Sequence, residues 1–129
     1  MEDTIFTKII KNEIPVPRIY EDEHCIVILD KFPAVQGQTL IIPKQQEPYV
    51  FNLSDDVYSH IFSIAKKVSI ALDKTYSPIR TCLLVEGFEV PHTHIKLYPT
   101  QEEKLNLAPG PELTPEEALK ETESIKNNL

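Results

Sequence analysis

Three residues of one short run, His92, His94 and Lys96, alternate with Thr93, Ile95 and Leu97. Alternation of period two belongs to a β-strand, whose successive side chains point to opposite faces. A strand from about Pro91 to Tyr98 then presents two imidazoles and an ammonium on its exposed face, neighbours about 7 Å apart, and lays Thr93, Ile95 and Leu97 on a core. Such a row suits attack on a phosphate. A neutral imidazole, with an ordinary pKa of about 6.5, is a competent nucleophile at neutral pH, and a fixed cation can hold phosphate oxygens. The spacing also fits a solvated strand face, and His-x-His is a metal-ligand pair. The metal reading lacks a clear third ligand. Glu86 and Glu89 lie upstream, and Glu89 falls on the other face if the strand reaches it.

The elements that must position this row can be read from pattern. Asp3 is placed to cap a short helix through about Lys11, with Ile5, Phe6, Ile9 and Ile10 as its apolar face. Pro15 and Pro17 end it. Arg18–Glu21 and Cys25–Asp30 read as two strands of a hairpin around the turn Asp22-Glu23-His24. Thr39–Pro43 is a third strand, opened by Gly37. Ser54 caps a long helix from Asp55 to about Lys74, with Val57, Ile61, Ile64, Ala65, Val68, Ala71 and Leu72 as its core stripe. Tyr58, Phe62 and Ile70 lie off that stripe, so a second face of this helix is open to a subunit interface. Thr81–Val85 is a fourth strand, and Glu86 through Glu89 turns into the fifth. Thr114-Pro115-Glu116-Glu117 is a capping box with proline at the first helical position, opening a last helix to about Asn127. That helix has only Ala118, Leu119 and Ile125 as apolar residues, so it is expected to pack loosely or to swap onto a partner. The class is α+β, with a five-stranded antiparallel sheet, a long helix and a C-terminal helix. The division expected is a domain over 1–110 and a helical extension over 111–129.

The chain has 129 residues, 41% hydrophobic and 26% charged, which suffices for one domain with a packed core. A net charge of −7 argues against a nucleic-acid polymer as the main partner, though not against a small nucleotide. Cys25 and Cys82 sit in apolar runs and read as buried thiols. No apolar stretch approaches a membrane span and no signal-peptide pattern opens the chain, so a cytoplasmic protein is expected. His24, in a turn, and His60, on a helix flank, read as structural.

Several blocks in order resemble the histidine triad (HIT) family: Asp3-Thr4-Ile5-Phe6-Thr7-Lys8-Ile9-Ile10-Lys11-Asn12-Glu13-Ile14-Pro15, then Tyr20–Glu23, Leu29-Asp30, Gly37–Lys44, and Val90-Pro91-His92-Thr93-His94-Ile95. The resemblance spans about residues 3–99 and implies the HIT-like fold. It further implies that His94 attacks the α-phosphate of a nucleotide to form a nucleotidyl-histidine, which water or an acceptor resolves, and that His92 helps to orient it. By the same resemblance the Asp30 carboxylate takes the ribose hydroxyls, and Phe6, Ile9, Ile14 and Leu29, with Ile5 and Ile28, line a base pocket. Core packing accounts for these apolar residues equally well, and Asp30 can also be a turn cap. A homodimer with a sheet continuous across two subunits is implied as well.

The departures concern the polar contacts. The third histidine of the triad is Lys96, the distant histidine before the third strand is Gln38, and the glutamine upstream of the triad is Phe88. The loop there is shortened and its usual asparagine is missing. Zinc positions of some bacterial members fall on Thr4, Thr7 and Gln46, so no metal and no cofactor are expected. Lys96 reads as a fixed cation for phosphate or leaving group, catalytic with His94 and His92, or as a mark of lost chemistry. A like charge there would keep His94 neutral. Lys31, beside Asp30, bears on base or phosphate preference. The reading is a nucleotide phosphohydrolase or nucleotidyl transferase acting on a nucleoside phosphoramidate, dinucleoside polyphosphate or similar nucleotide. The alternative is a non-catalytic nucleotide-binding protein of the same fold.

Overall fold

A computed structural model of the chain describes residues 1–129. In chain order it has α1 (Ile5–Ile10), β1 (Tyr20–Glu21), β2 (Cys25–Leu29), β3 (Thr39–Pro43), a 3₁₀ turn at Val50–Asn52, α2 (Asp55–Tyr76), β4 (Arg80–Glu86), β5 (His94–Thr100) and α3 (Pro115–Lys126). The five strands form one sheet in the order β1-β2-β3-β5-β4, and every neighbouring pair is antiparallel. This is the α+β architecture expected from the pattern of elements.

Each face of the sheet has its own core. Cys25, Val27, Leu29, Ile41, Ile95 and Leu97 face α2, where they meet Ile61, Ile64, Ala65, Val68, Ala71 and Leu72. Ile26, Ile28, Leu40 and Ile42 face the other way and are covered by Phe6 and Ile9 of α1. With both faces covered, β2 and β3 are buried along their whole length and show no polar alternation. Tyr58 and Phe62 pack partly against the α2-side core, while Ile70 remains exposed.

Several boundaries differ from the sequence reading. Thr4, not Asp3, caps α1: its hydroxyl accepts from the Phe6 and Thr7 N–H groups, and Thr7 returns the bond to the Thr4 N–H. Asp3 instead pairs with Lys11 at 2.9 Å. The long helix runs to Tyr76 and ends at Ser77 in the left-handed conformation. The last helix does not pack loosely or away from its own chain. It lies on α2 and β2, with Ile125 in the α2-side core and Thr122 buried. Tyr76 Oη donates to Glu121, and Asn128 donates to Thr75. Sparse apolar content was offset by these hydrogen bonds, which periodicity does not register. No helix is long and apolar enough to cross a membrane.

Candidate active site

The fifth strand begins at His94, so His92 lies in the bend before it rather than on the strand row. The chain is held there by the Thr93 N–H, which donates to the Glu47 carbonyl at 2.7 Å. Both imidazoles nevertheless face α1. The Phe6 ring sits edge-on to His92 at 5.8 Å and to His94 at 4.9 Å between centroids. The row is therefore covered, not exposed as the alternation implied: His92 is 0% and His94 4% accessible. The amphipathic helix that the sequence placed at the N-terminus supplies the cover. Thr93, Ile95 and Leu97 lie on the core face as expected.

Each imidazole is fixed by a backbone carbonyl. His92 Nε2 donates to the Pro43 carbonyl at 2.7 Å, and His94 Nδ1 donates to the His92 carbonyl at 2.9 Å. A carbonyl only accepts, so His94 carries its proton on Nδ1 and directs Nε2 outward. His92 Nδ1 is buried without a partner. Burial pushes both imidazoles below the ordinary histidine value, against the bonds to the two carbonyls. The Glu86 and Asp30 charges also oppose burial at His94, while Lys96 lowers it further. Lys96 thus acts in the direction expected, but desolvation is the larger cause.

Facing His94 Nε2 is Glu86, whose Oε1 lies at 3.1 Å. Sequence reasoning placed Glu86 in a turn. β4 instead runs through it, and the register sets Glu86 opposite His94 and Leu84 opposite Lys96. Extending the period of β4 by one residue would have put Glu86 in the row. Gly87 follows at a point where any Cβ would strike the Pro48 carbonyl, which pins the end of the strand. Lys96 is half-buried on the same face as His94 and enters none of the ion pairs in the structure. Tyr98, two residues on, is buried, and that burial pushes its phenol upward, with the Asp30 and Glu86 charges acting in the same direction.

Asp30 and Gln38 form one unit. Gln38 Nε2 donates to Asp30 Oδ2 at 2.8 Å, and Gln38 Oε1 accepts from the Ala34 N–H at 2.6 Å. Asp30 Oδ1 accepts from the Phe32 N–H at 2.9 Å, the turn-capping bond that was the other reading of this residue. A carboxylate offers about four acceptor sites, so two remain for a ligand. Lys31 points to Glu112 at 3.2 Å, and the Leu113 N–H donates to the Lys31 carbonyl, so the C-terminal segment runs beside this loop of its own chain. Of the apolar residues assigned to a base pocket, Phe6, Ile9 and Ile28 form the α1-side core with Ile14 against it. Leu29 belongs to the α2-side core, because adjacent strand residues alternate faces. Ile5 is half exposed, and Phe88 stands 90% exposed, outside the site.

The residues at the zinc positions are engaged in other bonds. Thr4 and Thr7 cap α1, and Gln46 Nε2 donates to the Glu2 carbonyl at 2.6 Å, fastening the N-terminal segment to the end of β3. The set of metal-capable side chains in the fold is Asp22, Cys25 and His60, away from the triad. Asp22 accepts from Tyr20 Oη, from His60 and from the His24 and Cys25 N–H groups. Neither cysteine is in a disulfide, and Cys25 is the buried one.

Residues 11–103 match the family model of the HIT domain. A HIT-like protein of Borreliella burgdorferi is 35% identical, over 77% of this chain and 76% of its own length. The adenosine 5'-monophosphoramidase of Saccharomyces cerevisiae is 34% identical, over 82% of this chain and 68% of its own length. Among solved structures, a HIT-like protein of Bartonella henselae superposes with a TM-score of 0.91 at 25% identity, covering 98% of this chain and 96% of that one.

Proposed function

The chain belongs to the HIT family, and on that footing we propose that it is a nucleotide phosphohydrolase or nucleotidyl transferase whose nucleophile is His94. The observation that carries this reading is the bond from His94 Nδ1 to the His92 carbonyl, which leaves Nε2 as the nitrogen with the lone pair. Nε2 attacks the α-phosphorus of a nucleotide. The Nε2–P bond forms as the P–leaving-group bond breaks, and the leaving group departs with the bonding electron pair. Water or an acceptor hydroxyl then attacks phosphorus, loses its proton to solvent and returns the electron pair to Nε2. Lys96 stabilises the phosphate oxygens as charge builds, and His92 supplies the carbonyl that holds the tautomer. The two free acceptor positions on Asp30 take the ribose hydroxyls, and Gln38 holds that carboxylate in place. Phe6, Ile9 and Ile14 offer an apolar wall for the base. The yeast relative's name favours an adenosine phosphoramidate as first substrate to try.

A second reading, a nucleotide-binding protein without turnover, is favoured by two observations. Gln38 is spent on Asp30 and Ala34, and Glu86 sits against the attacking nitrogen. The unpaired edge of β4 supports pairing of two copies, with Leu83 exposed along it; a monomer at micromolar concentration by size analysis would remove that part.

The test is incubation with adenosine phosphoramidate followed by intact mass measurement. An adduct that gains one nucleotidyl group and is absent in His94→Ala is the expected result. Nucleotide binding without adduct, unchanged in His94→Ala, establishes the binding protein instead.

A further inference from the structure

The turn between β1 and β2 places Asp22, His24 and Cys25 within four residues, and α2 brings His60 against them. This cluster lies on the α2 side of the sheet, across it from the triad imidazoles, which face α1. One ligand atom each from Asp22, Cys25 and His60 falls within 4.8 Å of the others. They are a carboxylate oxygen, a thiol sulfur and an imidazole nitrogen, three donor types that zinc takes. Bonds of about 2.0–2.3 Å to a tetrahedral ion set such ligands about 3.3–3.8 Å apart. The cluster brackets that spacing. Asp22 Oδ2 and His60 Nε2 stand at 2.5 Å and must open by about 1 Å, and His60, 31% accessible on its helix, has room to give. Solvent reaches the cluster past Asp22 and His60, while Cys25 is its buried floor.

We propose that Asp22, Cys25 and His60 bind a zinc ion, with His24 as the fourth ligand, and that the ion fastens the β1–β2 hairpin to α2. The His24 ring stands edge-on to His60 with centroids 5.0 Å apart. Two imidazoles on one tetrahedral ion take about that separation. A turn of the His24 side chain, 39% accessible, brings its nitrogen in from Glu23, its present partner. The ion needs no free acceptor site on Asp22, because it takes the place of the proton that His60 now donates. His60 keeps one proton, on Nδ1, and the Cys25 thiol gives its own to solvent. Thiolate and carboxylate together neutralise the divalent charge, so the site ends without net charge. Tyr20 Oη and the His24 and Cys25 N–H groups stay on Asp22 and hold it for the ion, as partners behind a metal ligand do. β1 is two residues long and pairs only with β2 at the sheet edge, so the hairpin gains a second anchor.

The test uses the full chain, freed of metal by a chelator, titrated with Co²⁺ as the probe and then with Zn²⁺. One ion per chain is expected, with a thiolate-to-cobalt charge-transfer band that Zn²⁺ abolishes and a melting temperature that Zn²⁺ raises. Cys25→Val keeps an apolar side chain in the core and is expected to remove the band. It and His60→Gln are each expected to weaken binding at least about a hundredfold, and His24→Ala about tenfold. His94→Ala is expected to bind as wild type does. Absence of a thiolate band in wild type overturns the proposal. A band that survives Cys25→Val, or an affinity unmoved by His60→Gln, does the same. Affinity lost in His94→Ala instead puts the ion on the triad and overturns the site. Unchanged binding in His24→Ala overturns the fourth ligand.

Discussion

Two partly buried histidine–carboxylate pairs, His60 with Asp22 and His94 with Glu86, differ in what is left over. At the β1–β2 turn, the Asp22 carboxylate takes four donors: Tyr20 Oη, the His24 and Cys25 N–H groups, and His60. Burial alone would raise its pKa, but the bonds from His60, Tyr20 and the two backbone groups outweigh it and hold the carboxyl well below the usual range. At the other pair, Glu86 meets His94 alone, with an unpartnered His92 nitrogen alongside and an unpaired Lys96 on the same face. The two carboxylates are similarly buried, 20% and 22% accessible, so solvent does not separate them. Saturation does. A carboxylate with every acceptor site filled fixes a turn, whereas one that meets its histidine only at ion-pair distance keeps its acceptor sites open to a ligand. Chemistry needs unspent hydrogen-bonding capacity more than it needs a histidine.

The contrast can be broken most sharply in the reaction. His94→Ala is expected to reduce adduct formation by at least about a thousandfold, since it removes the proposed nucleophile. His60→Ala should stay within about twofold, as read by the rate of mass gain under identical conditions. Equal losses in both would mean that the second pair also serves the site.

Stability should show the reverse ordering. Phe6→Ala removes the ring that covers both triad imidazoles and is expected to cost about 3 kcal/mol in urea denaturation. The same variant should let water reach His94 and move its NMR titration upward, because burial is the main cause of the present lowering. Asp22→Ala leaves two backbone donors and a tyrosine without their acceptor and should cost about 2 kcal/mol, against less than about 1 kcal/mol for Glu86→Ala. Parity between these two alanine variants would erase the distinction drawn from bond counts.

The smallest effect is in pH. The folded values of His92 and His94 lie below that of an unfolded histidine, about 6.5. The unfolded chain therefore binds protons that the native state refuses. Stability is full above that pH, falls as pH drops through it, and levels off below the folded values. Asp22 is lowered likewise, so its contribution is full above the ordinary carboxylate value of about 3.9 and is lost on further acidification. Acid loss should come in two windows, the first diminished in His94→Asn and the second in Asp22→Asn, in urea midpoints measured from pH 7.5 to 3.

What could be read in advance depended on range along the chain. The capping box at Thr114 and Glu117 needs only three residues, and the observed bonds between them match it. The core stripe of α2 needs only a period. The cap of α1 was misassigned to Asp3 because Thr4 competes one residue away, and only the returned bond from Thr7 distinguishes them. Leu29 was placed with the wrong face although alternation with Ile28 was available. By contrast, Glu86 against His94 depends on the β4–β5 register, and Gln38 on Asp30 depends on how the loop between β2 and β3 closes.

By itself the amino-acid sequence determined the order of elements, the α+β class with its antiparallel sheet, and the histidines and lysine that share one stretch of chain. These follow from local periodicity, capping and residue chemistry. The tertiary structure decided which atoms those groups spend on one another: the tautomer of His94, the cover by Phe6, the carboxylate on Nε2 and the saturation of Asp22. Hydrogen-bond partnership is set by the meeting of segments distant in sequence, and no spacing along one segment encodes it.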